Sequence, residues 1–235
     1  MQGTSSLGPM KKTMSSASES KIQVRAGDRF LLMGTSGSGK TTAAKLLDRS
    51  LAKLYPYHRH YILDSKHDGD FDKYPGRVAG DLAPGKPGRN QRYQIWQPIT
   101  EDPEQIERWL YQIRHDAPAF LLVDELYTLV YKRNEYSREY NILQKTGRSL
   151  PVGTITLTQE LSRIPGNAYK QAVHRLGFYL EGPYDLRIRD LMLKRPKLDN
   201  PEHQYGFYYQ HINGRGEPSY FENIQHFLGM GRKDI

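Results

Sequence analysis

Three short stretches of this chain carry residues able to do chemistry. The first is Gly34, Thr35, Ser36, Gly37, Ser38, Gly39, Lys40, Thr41 and Thr42, with the spacing G-x-x-x-x-G-K-[ST]. Its glycines let backbone N–H groups turn inward around the β- and γ-phosphates of a nucleoside triphosphate, and a helix opening near Lys40 aims the positive end of its dipole at the same charge. Lys40 adds a point charge on those oxygens. Thr41 offers a hydroxyl to Mg²⁺, a hard cation that keeps oxygen ligands, whereas Thr42 comes one residue too late to be the better ligand. The second stretch is Asp124-Glu125, two acids ending an apolar run. Asp124 is suited to orient Mg²⁺ and its waters, and Glu125 to polarise an attacking water. The third is Thr158-Gln159, whose amide is suited to sense the γ-phosphate or that water. Together they predict hydrolysis of a bound triphosphate, with ATP and Mg²⁺ as cofactors.

These residues need a scaffold that brings them together. Phe30-Leu31-Leu32-Met33 reads as a buried strand feeding the glycine loop, preceded by a strand from Ile22 and a turn at 26–28. After the loop, Ala43, Ala44, Leu46, Leu47, Leu51 and Leu54 recur at helical spacing. Tyr61-Ile62-Leu63-Asp64 reads as a strand ending on a carboxylate, and residues 65–92, dense in Gly, Pro and charge, as a long loop. A further strand is expected over Tyr93 to Trp96. Asp102-Pro103 opens a helix with Ile106, Trp109, Leu110 and Ile113 on one face. Ala119 to Val123 is continuously apolar, as in a parallel strand buried on both sides, which puts Asp124-Glu125 at its carboxyl end, where such sheets bind ligands. A helix over Tyr136 to Arg148 and a β-branched strand over Pro151 to Gln159 follow. The last expected elements are a strand at 176–180, a helix near 185–193 and a hairpin through Asn213-Gly214.

With 235 residues the chain suits one large α/β domain. Residues 1–20, rich in Ser, Gly, Thr and Lys, read as a disordered tail; the part before Met10 reads equally as native or as appended sequence. The ATPase domain is expected over 21–225 and a C-terminal tail over 226–235. Cysteine is absent, which excludes disulfides, thiolate catalysis and Cys-based zinc sites. His58 and His60, near a strand start, are expected to be partly exposed. Asp68-Gly69-Asp70-Phe71-Asp72 resembles a calcium loop without its ligand spacing. No apolar stretch approaches the roughly 20 residues of a membrane span, so a soluble, cytoplasmic protein without a membrane partner is expected. The net charge of +8 and the pI of about 9.4 favour polyanionic partners.

The ordered set of a Gly-Thr-Ser-Gly-Ser-Gly-Lys-Thr loop, a Leu-Asp-Ser-Lys strand end at 63–66, a Leu-Leu-Val-Asp-Glu strand, a Gly-Arg helix end at 147–148 and a Thr-Gln strand end resembles the FtsK/HerA superfamily of DNA-pumping ATPases, over about residues 22–222. Within it the chain is most similar to viral genome-packaging ATPases. The resemblance implies a P-loop NTPase fold of the ASCE/RecA-like type, with a mostly parallel central sheet flanked by helices. It implies that Lys40 and Thr41 hold phosphate and magnesium, Asp124 the metal, Glu125 the water, with Gln159 as sensor. Arg148 matches an arginine inserted into the neighbouring subunit's site. A homomeric ring around double-stranded DNA is implied, working in the host cytoplasm or at a capsid or portal vertex.

Two basic clusters are candidates for gripping DNA: Tyr131-Lys132-Arg133-Asn134 after the acidic pair, and Lys86, Arg89 and Arg92 in the long loop. Tyr127, Tyr131, Tyr136 and Tyr140 interleave with the first and are expected to pack rather than stack on bases. Besides viral packaging, two readings stay open: a cellular or plasmid DNA-transfer translocase, and an ATPase driving protein or phage export.

Overall fold

The computed structural model describes residues 24–132, 135–146, 149–160, 164–179, 205–212 and 218–228. Its centre is a nine-stranded sheet of β1 (Arg29–Met33), β2 (Arg59–Leu63), β3 (Arg77–Ala79), β4 (Tyr93–Gln97), β5 (Ala119–Val123), β8 (Val152–Thr158), β9 (His174–Phe178), β10 (Phe207–His211) and β11 (Ser219–Phe221). Their spatial order is β11-β10-β9-β1-β8-β5-β2-β4-β3. All neighbours from β9 through β3 run parallel, while β10 and β11 pair antiparallel at one edge. The mostly parallel α/β sheet expected from the sequence is therefore the fold observed.

The continuous apolar runs follow from burial on both faces. Strands β1, β5 and β8 are buried at every residue, and their side chains alternate between two helical layers. Phe120 and Leu122 of β5 join Phe30, Leu32, Ile155 and Leu157 under Ala43, Ala44, Leu47 and Leu51 of helix α1 (Lys40–Leu54). Leu121 and Val123 face the opposite way, toward Trp109, Leu110 and Ile113 of α2 (Pro103–His115) and Tyr140 and Leu143 of α3 (Arg138–Thr146). Helix α2 opens as its sequence predicts, with the Asp102 carboxylate accepting from the Glu104 N–H at 2.9 Å and Pro103 in the first turn.

Some elements differ from the sequence reading. The expected 65–92 loop contains β3, a three-residue edge strand exposed at every position, too short for any periodicity to announce it. Tyr136 lies in a two-stranded ribbon of β6 (Val130–Lys132) and β7 (Glu135–Tyr136), not in a helix. Helix α3 begins two residues later because Glu107 accepts from the N–H groups of Arg138 (2.7 Å) and Glu139 (2.9 Å), while Ser137 Oγ accepts from Tyr140 N–H. His60 is fully buried, its Nδ1 2.6 Å from Asp48. Helix α5 (Ile224–Leu228) runs past residue 225, and Phe227 packs against Phe207 and Tyr209. The turn at 26–28 is present, closed by Asp28 N–H donating to Arg25 O at 3.0 Å. The residue 1–20 tail, the strand start at Ile22, the helix near 185–193 and the Asn213-Gly214 turn lie outside the described residues, although the two arms of that hairpin pair as β10 and β11.

Candidate active site

The glycine loop leaves β1 at the carboxyl edge of the sheet. Gly34 donates to Thr158 O (3.2 Å) and Thr35 to Tyr179 O (2.9 Å), so β8 and the end of β9 hold its base. A side chain at Gly34 would collide, since a Cβ there would lie 2.8 Å from Phe178 Cβ and 2.9 Å from Ser38 Oγ. Gly39 takes the left-handed φ of 88° that turns the chain into α1, a conformation natural to glycine. No side chain caps α1 and its first turn holds no acid, so its N-terminal N–H groups and dipole suit an anion. Lys40, buried at the start of that helix, places Nζ 2.5 Å from Thr35 O. Burial and the charge of Lys66 lower its pKa to about 8 against the pull of Glu125 and Asp124, so an approaching phosphate meets a poorly solvated cation.

Across β8 from this loop stand the two acids. Asp124 is fully buried at the end of β5; Lys66 Nζ stands 3.2 Å from its Oδ2, and its Oδ1 meets no hydrogen-bond donor among the described residues. Its pKa is pushed up to about 6, chiefly by burial and further by Asp64 and Asp68, against the pull of Lys66. Burial likewise raises Glu125, while Lys66, the N–H groups of Tyr127 and Gln159 and the Thr158 hydroxyl oppose that rise. A buried carboxylate with unused lone pairs is costly unless something completes it. Hard oxygens of this kind fit Mg²⁺, with Thr41, the second residue of α1, as the other protein oxygen.

Insertion of β8 between β1 and β5 unites three distant sequence stretches. Thr158 pairs in register with Met33 and Thr156 with Val123, which carries Gln159 between the phosphate loop and the acids. Residues 30–165 match the model of the ATPase family associated with various cellular activities (AAA). The chain belongs to this family of ATPases. Its fold is shared with solved structures of low sequence identity. The genome-packaging NTPase B204 of Sulfolobus turreted icosahedral virus 2, in complex with ATPγS, aligns with TM-score 0.67 and 16% identity over 85% of this chain and 99% of B204. The pCW3 conjugation coupling protein TcpA with ATPγS aligns at 0.56 and 14% over 86% of this chain and 62% of TcpA. The cytoplasmic domain of the type VII secretion ATPase EccC from Thermomonospora curvata aligns at 0.59 and 16% over 84% of this chain and 25% of EccC. The search of curated proteins finds no match. The P-loop NTPase fold that the resemblance implied is thus the fold observed in this nucleotide-binding ATPase.

Two groups of this AAA ATPase escaped the sequence reading of the site. Lys66 Nζ lies 3.0 Å from Asp124 O, 3.2 Å from Asp124 Oδ2 and 3.9 Å from Glu125 Oε2. The Leu-Asp-Ser-Lys strand end was its signal, legible only as a part of the family pattern. On the other side of the loop a cleft of about 380 Å³ opens between Gly39, Thr42 and Ala43 of the phosphate loop and α1 and Phe178, Tyr205 and Asn223. The Tyr205 ring comes within 3.1 Å of where a Gly39 Cβ would sit. Its position, 166 residues after Gly39, carries no local signal. Thr42 is exposed and faces this cleft, not the acids.

The basic candidates separate. Arg92 donates to the carbonyls of Ala52 and Tyr55 at the end of α1, and Lys86 pairs with Asp116 at 2.6 Å while its side chain stays exposed, so both already have partners within the fold. Arg89 is exposed. Tyr140 is buried, its hydroxyl 2.7 Å from Thr156 Oγ1, and Tyr136 packs edge-on against it, as expected of packing tyrosines. Tyr127 is exposed. Arg148 lies outside the described residues, as do Arg133 and Asn134. No helix among the described residues is long and apolar enough to cross a membrane.

Proposed function

We propose that this ATPase is a translocase of double-stranded DNA and that it packages a viral genome. The observation carrying the reading is the closeness of the fold: it aligns with the packaging NTPase B204 at TM-score 0.67, against 0.56 for TcpA and 0.59 for EccC. The formal charge of +8 supports a polyanionic partner bound through phosphates, and no base-reading motif is evident in the sequence.

In this mechanism the loop from Gly34 to Thr42 cradles the phosphates and Lys40 neutralises the β/γ oxygens. Asp124 and Thr41 hold Mg²⁺, which when bound supplies positive charge to the transferring phosphoryl group. Glu125, made more basic by burial, orients the attacking water and takes its proton. Gln159, whose N–H reaches Glu125, reports on the γ-phosphate. Arg148, after α3, enters the site of the next subunit of a homomeric ring and stabilises charge on the leaving group. Turnover in the ring moves DNA toward a capsid or portal vertex.

The likeness to TcpA and EccC favours two other readings, plasmid DNA transfer and protein export. ATPase rate with and without linear duplex DNA tests the proposal. Stimulation independent of DNA sequence is expected, with affinity falling steeply between about 50 and 200 mM salt. Absence of both stimulation and binding at low salt would replace DNA translocation by protein export. Packaging is separated from plasmid transfer by whether purified portal or capsid protein raises the DNA-stimulated rate.

A further inference from the structure

Lys66 has no task in that mechanism, although its ammonium stands 3.2 Å from Asp124 Oδ2 and 3.9 Å from Glu125 Oε2. The turn that carries it is tightly built. Asp64, fully buried, accepts from His67 N–H at 3.2 Å and from Gln97 Nε2 at 2.6 Å. Ser65 Oγ lies 2.7 Å from the Thr128 hydroxyl, in the short helical turn directly after the acids. His67 adopts a left-handed φ of 55°, costly for a residue other than glycine, and its Nε2 lies 2.8 Å from Pro98 O. The backbone on both sides of Lys66 is therefore pinned. Its side chain, about one-quarter exposed, is the part left to move.

We propose that Lys66 is a displaceable counter-ion which keeps a divalent metal off Asp124 until the triphosphate arrives, and which then turns to the γ-phosphate beside Lys40. This rests on the assignment of Asp124 as the metal-holding residue under Proposed function. A divalent metal bound to Asp124 Oδ2 at about 2.1 Å lies no more than about 5 Å from the ammonium that stands 3.2 Å from the same oxygen, where like-charge repulsion in a poorly solvated site is large. Metal alone offers nothing to offset this. Metal bound to a triphosphate does, because the γ-phosphate presents negative oxygens to which the ammonium can swing. Lys66 and Lys40 lie near enough for the charge of one to depress the pKa of the other, so an anion shared by both relieves their repulsion. Metal entry thereby becomes conditional on nucleotide, and ATP is distinguished from ADP by the group Lys66 takes hold of.

The test uses Mn²⁺, followed by electron paramagnetic resonance of the free ion, on the full chain with and without a non-hydrolysable ATP analogue. Wild-type protein is expected to bind Mn²⁺ well only with the analogue. Lys66→Met should bind Mn²⁺ without nucleotide on the order of tenfold tighter or more than wild type, the gain vanishing in Lys66→Met/Asp124→Asn. Lys66→Arg, which keeps the charge, should stay close to wild type. Lys66→Met should also lose much of the preference for the ATP analogue over ADP. Lys66→Gln is measured alongside, and circular dichroism melts confirm that the variants are folded. Equal Mn²⁺ affinity of nucleotide-free wild type and both neutral variants would overturn the counter-ion role. If Asp124→Asn instead bound Mn²⁺ with the analogue as wild type does, the metal assignment itself would fall, and the proposal with it.

Discussion

Acids at the two ends of the sheet are treated differently. At the amino end, Asp116 is met by Arg59 at 2.7 Å, Lys86 at 2.6 Å and the Tyr61 hydroxyl, and Asp28 by His174 at 3.1 Å and the Arg25 N–H at 2.7 Å. Burial pushes Asp116 up, yet Lys86, Tyr61 and Arg59 outweigh it and hold the carboxyl below its ordinary range. At the carboxyl end, Asp124 Oδ1 meets no donor among the described residues, its Oδ2 has the long, flexible Lys66 side chain at 3.2 Å, and burial pushes its carboxyl up to about 6. An acid that serves folding has its partners built in; an acid that serves a ligand is left incomplete and costs stability until the ligand comes.

The sharpest break of this comparison is Glu125→Gln. Turnover should fall by about 10²–10⁴ in steady-state ATPase assays while ATP binding is retained, because the amide keeps the shape and loses the basicity. Wild-type turnover in this variant would show that the carboxyl end is not chemical.

Next, the same substitution should have opposite signs at the two ends. Asp124 has its pKa raised from 3.8 to about 6, so the native state holds a proton that the unfolded chain has released between those values. The stability this contributes is full below about pH 4 and is lost as pH rises through about 6. At pH 8 Asp124→Asn should therefore stabilise the nucleotide-free protein, by about 1–3 kcal/mol in urea unfolding, with the gain shrinking toward zero near pH 4. Asp116, with its pKa lowered, contributes stability above the ordinary Asp range and loses it as pH falls below that range. Asp116→Asn should thus destabilise at pH 8, by about 1–2 kcal/mol, through lost charge-assisted hydrogen bonds. Matching signs would erase the distinction.

The smallest effect sharpens the assignment of basic residues. Arg92→Ala should cost about 1 kcal/mol of stability, the worth of a cation on helix C-terminal carbonyls, and leave the salt dependence of DNA binding unchanged. A flatter salt slope would return the amino end of the sheet to the DNA interface.

Local chemistry explains which features were legible. The phosphate loop, the strands at 30–33 and 119–123 and helix α2 announce themselves because glycine spacing, unbroken apolar runs and an Asp-Pro helix start act over a few residues. His60 misleads for the opposite reason: its partner Asp48 lies on another element, and no local pattern reveals a buried pair. Edge strand β3 and ribbon β6–β7 are too short for periodicity, and the start of α3 depends on Glu107, 31 residues before Arg138.

By itself the sequence determined a triphosphate-binding α/β ATPase and singled out Lys40, Thr41, Asp124 and Glu125 as candidates for its chemistry, since each sits in a motif whose function depends on neighbours in the chain. Only tertiary structure decided that β8 lies between β1 and β5, bringing Gln159 to Glu125, that Lys66 lies against Asp124, and that Tyr205 lines a cleft beside Gly39. Strand order is set by which apolar faces can be buried together across the whole sheet, and the solvation of a charge by every group around it, so neither is written in any one stretch of residues.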